Sequence, residues 1–131
     1  SAAQSMPFYN PNKEPEDAMG ELASTISSDL PISVLLLGMG EDMHTASLFP
    51  GVEGLTEALE PTAPTLVVLR PDSQPEARVS LSAHVLDAAI SKHLVIYGAE
   101  KRTALERALK LPPEEAPIQA VLTGTTVHWA P

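Results

Sequence analysis

The sequence predicts an α/β fold built on a largely parallel sheet, and three observations carry that expectation. Short apolar runs alternate with segments of helical periodicity. The run ISVLLLGMG, from residue 32, is apolar on both alternating faces, which suits a central parallel strand covered on each side. The 13 prolines, about twice average usage, fall between elements and punctuate them.

The elements follow in order. PFYNPNKEP (7–15) is rich in Pro and Asn and reads as extended or turn-like. EPEDAMGELASTISS (14–28) reads as a helix: Pro15 suits its first turn, and Glu14, Glu16 and Asp17 sit at the positive end of its dipole. Ala18, Leu22 and Ile26, with Met19 and Ala23 beside them, give it one buried stripe. Residues 32–37 form the central strand. After the loop that ends it come a short helix and a Pro/Gly-punctuated excursion, GVEGLTEALEPTAP. TLVVLR (65–70) is a second strand, PDSQPEA (71–77) a loop and RVSLS (78–82) a short alternating strand. AHVLDAAIS (83–91) is helical with Val85, Ala88 and Ala89 inward, and HLVIYG (93–98) is another buried strand. A helix spans 100 to about 110, PPEEAP is a loop, and IQAVL and the strand TVHWAP close the chain.

At 131 residues and 44% hydrophobic content this is one domain's worth of chain with enough apolar surface for a core. The formal charge of -9 argues against a nucleic-acid surface or binding to anionic membranes. SAAQSMPFYN has neither a basic n-region nor an apolar h-region, and no run approaches the roughly 20 residues of a membrane span. Absence of cysteine removes thiolate chemistry and disulfides and fits a soluble, cytoplasmic protein. The chain does not begin with Met, and one upstream helix is thin support for a central strand, so part of the sheet is expected outside it.

LLLGMGEDMHTASLFPG (35–51) carries the chemistry. Ligands of open parallel sheets bind beyond the carboxyl ends of the strands, and Gly38 and Gly40 stand there, permitting a tight turn and close backbone approach. His44 suits a general base near neutral pH, and Asp42, two residues earlier, can orient it. Thr45 and Ser47 supply hydroxyls, and a helix opening near 45 would aim N–H groups at an anion. On local pattern alone, a helix cap beside a solvated histidine accounts for these residues equally well. The pair G-x-G lacks the third glycine of a dinucleotide fingerprint. No spacing of histidines suggests a metal, and His84, His93 and His128 read as structural.

The same segment resembles the signature of the 6-phosphogluconolactonases, close to G-x-G-x-D-G-H-T-A-S-L-F-P-G. RVSLSAHVLDAA is similar to the family's R-V-T-L-T segment and following helix, LVIYGAEKRTAL to its strand, glycine and lysine, and MPFYNP to the stretch before its central helix. The resemblance covers nearly all of residues 1–131, as the C-terminal part of a single domain of that family. It implies a Rossmann-like sheet shared with glucosamine-6-phosphate deaminase. It also implies a cytoplasmic hydrolase of the pentose phosphate pathway that opens 6-phospho-D-glucono-1,5-lactone with no cofactor or metal, His44 serving as base. Arg78 and Lys101 match positions near the phosphate; Arg70 and Arg102 are weaker candidates. Met43 departs from the family's glycine, so a positive φ there would be strained and its side chain could narrow the pocket. The family's Gly/Ser-rich phosphate loop and Asp-Glu-Arg segment do not occur here, so this chain by itself is expected to be inactive. The alternatives are a sugar-phosphate isomerase or deaminase, which needs a further acid after the histidine, and a non-catalytic sugar-phosphate-binding regulatory domain. Oligomeric state is not legible.

Overall fold

The computed structural model describes residues 4–72 and 75–131; Ser73 and Gln74, inside the predicted 71–77 loop, lie outside the described residues. The elements run α1 (Pro15–Ser27), β1 (Val34–Leu37), α2 (Leu55–Leu59), β2 (Leu66–Leu69), β3 (Arg78–Leu81), α3 (Ala83–Asp87), β4 (Ser91–Tyr97), α4 (Gly98–Ala108), a 3-10 turn (Pro117–Val121) and β5 (Thr125–Ala130). β1, β4 and β5 form a parallel sheet in that order, and β2 pairs antiparallel with β3 as a separate ribbon. The α/β class is as the alternation of elements predicts.

Side chains alternate across a strand, so the register Leu35↔Lys92 and Leu37↔Leu94 puts these four on one face. Leu94 and Ile96 are buried there with Leu35, Leu37, Ala104 and Ala108, and each large apolar side chain so enclosed contributes about 1.5–3 kcal/mol. Lys92 reaches this face too, its ammonium held by the Asp87 carboxylate at 2.5 Å. The opposite face differs from expectation. Val34 and Leu36 are 65% and 69% exposed, so β1 is covered on one face only, and the strand order puts it at the edge of the sheet among the described residues. Its apolar residues do alternate onto two faces, but among the described residues only one face meets a partner.

α1 starts at Pro15 and buries Ala18 and Ile26, with Met19, Leu22 and Ala23 half-buried, so its stripe is as read from the spacing. α3 is shorter than its periodicity suggests. The N–H groups of Ile90 and Ser91 bond the carbonyls of Ile32 and Ser33, extending the pairing beside β1 and drawing the segment after Asp87 away from helix. Leu86 fills the core where Ala88 was expected; Ala88 is exposed. IQAVL becomes a 3-10 turn that buries Ile118 and Val121. No helix opens near residue 45. The chain instead makes a turn closed by the Leu48 N–H on the Thr45 carbonyl.

Met43 takes φ 70 and Ala46 φ 51 in that loop. The Met43 side chain does not narrow a pocket: it is 6% exposed and packs in the core with Met39 and Leu48, while its carbonyl accepts the Ile118 N–H. Left-handed backbone at a residue with a Cβ costs about 1–2 kcal/mol, whereas truncating a buried methionine costs about 2–5 kcal/mol. Burial therefore outweighs strain, and Met43→Gly is expected to destabilise by about 1–3 kcal/mol in urea denaturation. A Met43→Gly protein more stable than the parent would mean that relief of backbone strain exceeds the loss of packing.

Candidate active site

β1 delivers its carboxyl end to Gly38, and the loop turns back on itself through two backbone bonds, Gly40 N–H to His44 O and Met43 N–H to Gly40 O. Asp42, at the tip, bonds His44 twice: its Oδ1 accepts the His44 N–H at 3.1 Å and lies 2.5 Å from His44 Nδ1. With the carboxylate ionised, Nδ1 carries the proton and donates it, so in the neutral ring Nε2 holds the lone pair. The His44 side chain is 31% exposed, partly sheltered and still open to solvent.

Gly40 makes this arrangement sterically accessible. A Cβ on Gly40 would stand 2.2 Å from His44 Nδ1, 2.3 Å from Cε1 and 2.7 Å from Asp42 Oδ1, so the dyad occupies the space that a side chain would take. At Gly38 a Cβ would meet nothing within 4 Å, and its part is a carbonyl that accepts the Thr45 hydroxyl at 2.9 Å. Thr45 is 1% exposed, so that hydroxyl fastens the loop from inside.

Partial burial alone would raise the Asp42 carboxyl, but the hydrogen bonds from the His44 ring and N–H outweigh it and hold the group below its ordinary 3.8. A carboxylate depressed in the folded state adds stability that is fully present above its unfolded value and is lost as pH falls through the folded one. The Asp42–His44 contact is therefore expected to persist at every pH above about 4 and to fail only in stronger acid. The carboxyl 13C shift of Asp42 checks this; a titration midpoint above the ordinary value contradicts it.

Beside the dyad lies a cleft of about 620 Å³, within the range of small-ligand sites. Phe8, Tyr9, Lys13, Ser47, Arg70 and Arg78 are among its walls. His44 does not itself line the cleft. The connection is Phe49, whose ring stacks on His44 at 4.4 Å between centroids with the Arg78 guanidinium 5.9 Å from its own centroid. The structure thus brings Asp42, His44, Ser47 and Arg78 to one side of the molecule. Lys101, in the first turn of α4, is not among the residues lining the cleft.

Arg70 and Lys13 enter the cleft wall together with acids that hold them. Arg70 bonds Glu16 of α1, and Lys13 pairs with Glu21 at 3.2 Å. Exposed pairs of this kind contribute little, about 0–1 kcal/mol, so a phosphate dianion can compete for either cation. Arg102 is engaged elsewhere, over the Trp129 ring and with Glu106. His84 contacts the Ala63 carbonyl, and His93 stacks on His128 with 3.0 Å between ring nitrogens, on the face of the sheet away from the core. Sequence patterning assigns no role to Phe49 or Lys13. Phe49 is visible as part of LFPG, but nothing local says which rings it will touch.

A family model described as glucosamine-6-phosphate isomerases/6-phosphogluconolactonase matches residues 1–129. The 6-phosphogluconolactonase of Pseudomonas aeruginosa is 42% identical over 130 residues, covering 95% of this chain and 54% of that protein. That of Mesorhizobium japonicum is 38% identical over 138 residues, covering 99% of this chain and 57% of its own length. The crystal structure of a 6-phosphogluconolactonase from Shewanella baltica OS155 superposes with a TM-score of 0.81 at 30% identity, over 88% of this chain and 52% of that one. The chain spans about half the length of the curated relatives it matches. With the signature loop folded as a histidine–carboxylate dyad and these matches running nearly end to end, the chain belongs to the glucosamine-6-phosphate isomerase/6-phosphogluconolactonase family.

Proposed function

We propose that the complete protein carrying this chain hydrolyses 6-phospho-D-glucono-1,5-lactone to 6-phospho-D-gluconate, the lactone-opening step of the pentose phosphate pathway, in the cytoplasm. The observation that carries the reading is the Asp42–His44 dyad at the carboxyl end of β1, joined through Phe49 to an arginine-lined cleft.

His44 Nε2 takes a proton from water as its oxygen adds to the lactone carbonyl, and the carbonyl π electrons pass to the oxyanion. Collapse of this tetrahedral adduct breaks the ester bond, and the ring oxygen leaves with the proton returned by His44. Asp42 holds the imidazole in the productive tautomer and stabilises its protonated form. The Gly40 N–H is already committed to the His44 carbonyl, so the backbone of the 45–47 turn is the candidate source of oxyanion donors. Arg78, Arg70 and Ser47, which line the cleft, are the groups assigned to hold the phosphate and so fix orientation of the ring, whereas Lys101 lies outside that lining and is assigned no contact with it. The chemistry asks for no metal or organic cofactor.

An isomerase or deaminase would need a further acid after the histidine, and the first acid past His44 is Glu53, whose backbone bridges Arg70 at the ribbon. Turnover separates the readings: the complete protein should open the lactone and leave glucosamine 6-phosphate unchanged. Deamination without lactone hydrolysis would overturn the proposal.

A further inference from the structure

We infer that Phe49 is a positioning residue that ties the base to the phosphate-binding cation, acting on turnover through His44 and on substrate affinity through Arg78. This inference rests on the reading of His44 as base and goes beyond it.

The geometry is the argument. The Phe49 and His44 rings stack at 4.4 Å with 24° between their planes, close enough to hold the imidazole in one rotation about its bond to the loop. On its other edge the imidazole is held by Asp42, and behind it stands the Gly40 backbone, with no room for a side chain. Two hydrogen-bonding contacts from Asp42 fix where Nδ1 lies; the stack fixes the plane in which Nε2 meets water. The Arg78 guanidinium, from the first residue of β3, lies over the same ring at 5.9 Å, within the range of cation–π attraction. Arg78 and Ser47 line the cleft while Phe49 is half-buried beside it, so one ring touches both the catalytic dyad and the wall that takes the phosphate. The two parts come from different elements, β1's loop and the β2–β3 ribbon, whose spacing the ring spans.

A double-mutant cycle in the complete protein tests this by lactone hydrolysis, with folding followed by circular dichroism. Phe49→Leu is expected to lower kcat about tenfold, the worth of an aromatic pair, and to raise KM about threefold, the worth of an exposed cation–π contact. Phe49→Tyr, which keeps the ring, should lose less than about threefold in kcat. In a His44→Ala background, Phe49→Leu should leave kcat where His44→Ala alone puts it and still raise KM, because its effect on turnover passes through the imidazole. A merely structural Phe49 would instead lower kcat by the same factor in both backgrounds, and that result overturns the inference while leaving the base reading intact. An unchanged kcat in Phe49→Leu overturns it too. Normal kcat in His44→Ala alone overturns the base reading and this inference with it.

Discussion

His44→Ala in the complete protein is expected to lower kcat for the proposed lactone hydrolysis by about 10²–10⁴-fold, the usual contribution of a positioned general base. The imidazole is 31% exposed and touches solvent, Asp42 and Phe49, so its removal should leave the fold and its melting transition nearly unchanged. KM should move far less than kcat, because the cleft proposed to take the phosphate is lined by Ser47, Arg70 and Arg78 and not by His44. Some turnover should survive, since on the proposed reading the arginines and loop backbone would still bind and orient the lactone. Steady-state rates on freshly generated lactone decide the matter. A kcat within threefold of the parent would remove His44 from the chemistry.

Gly40→Ala is expected to reduce kcat by about 10²-fold, close to the effect of losing the base, although residue 40 contributes no reacting group. The new methyl group would stand 2.2 Å from His44 Nδ1 and 2.7 Å from Asp42 Oδ1, where non-bonded atoms do not approach. The atoms it meets are side-chain ends, which rotate away at little cost to the fold. The imidazole, however, must then move by about 1 Å or more, enough to misalign a proton transfer. The expected signature is thus a large loss in kcat with a melting temperature within a few degrees of the parent. Equal activity in Gly40→Ala would show that the dyad tolerates rearrangement and that its observed geometry is not what turnover requires. A loss of fold without specific loss of kcat per folded molecule would say the same.

The sequence by itself determined the α/β class, the stripe of α1, the loop that holds Asp42 and His44, and three strands read at 32–37, 65–70 and 93–98, which the structure places at 34–37, 66–69 and 91–97. These features are local: hydrophobic period, Pro and Gly punctuation and a motif whose two chemical residues lie two apart all reside within a few residues of chain. The departure of Met43 from the resembled family's glycine made strain there conditional on a positive φ, and the structure supplies that φ, 70. Only the tertiary structure decided that β1 lies at the edge of β1–β4–β5, with Val34 and Leu36 uncovered, since strand order depends on pairings across the chain. The same holds for the turn at 45–48 that replaces the expected helix: Thr45 spends its hydroxyl on Gly38 and Met43 is drawn into the core, and both contacts outweigh local helix signals. Phe49 between His44 and Arg78, and Lys13 and Arg70 in one cleft wall, arise where distant segments meet. Periodicity reports which face of an element is apolar, and packing alone chooses what that face will touch.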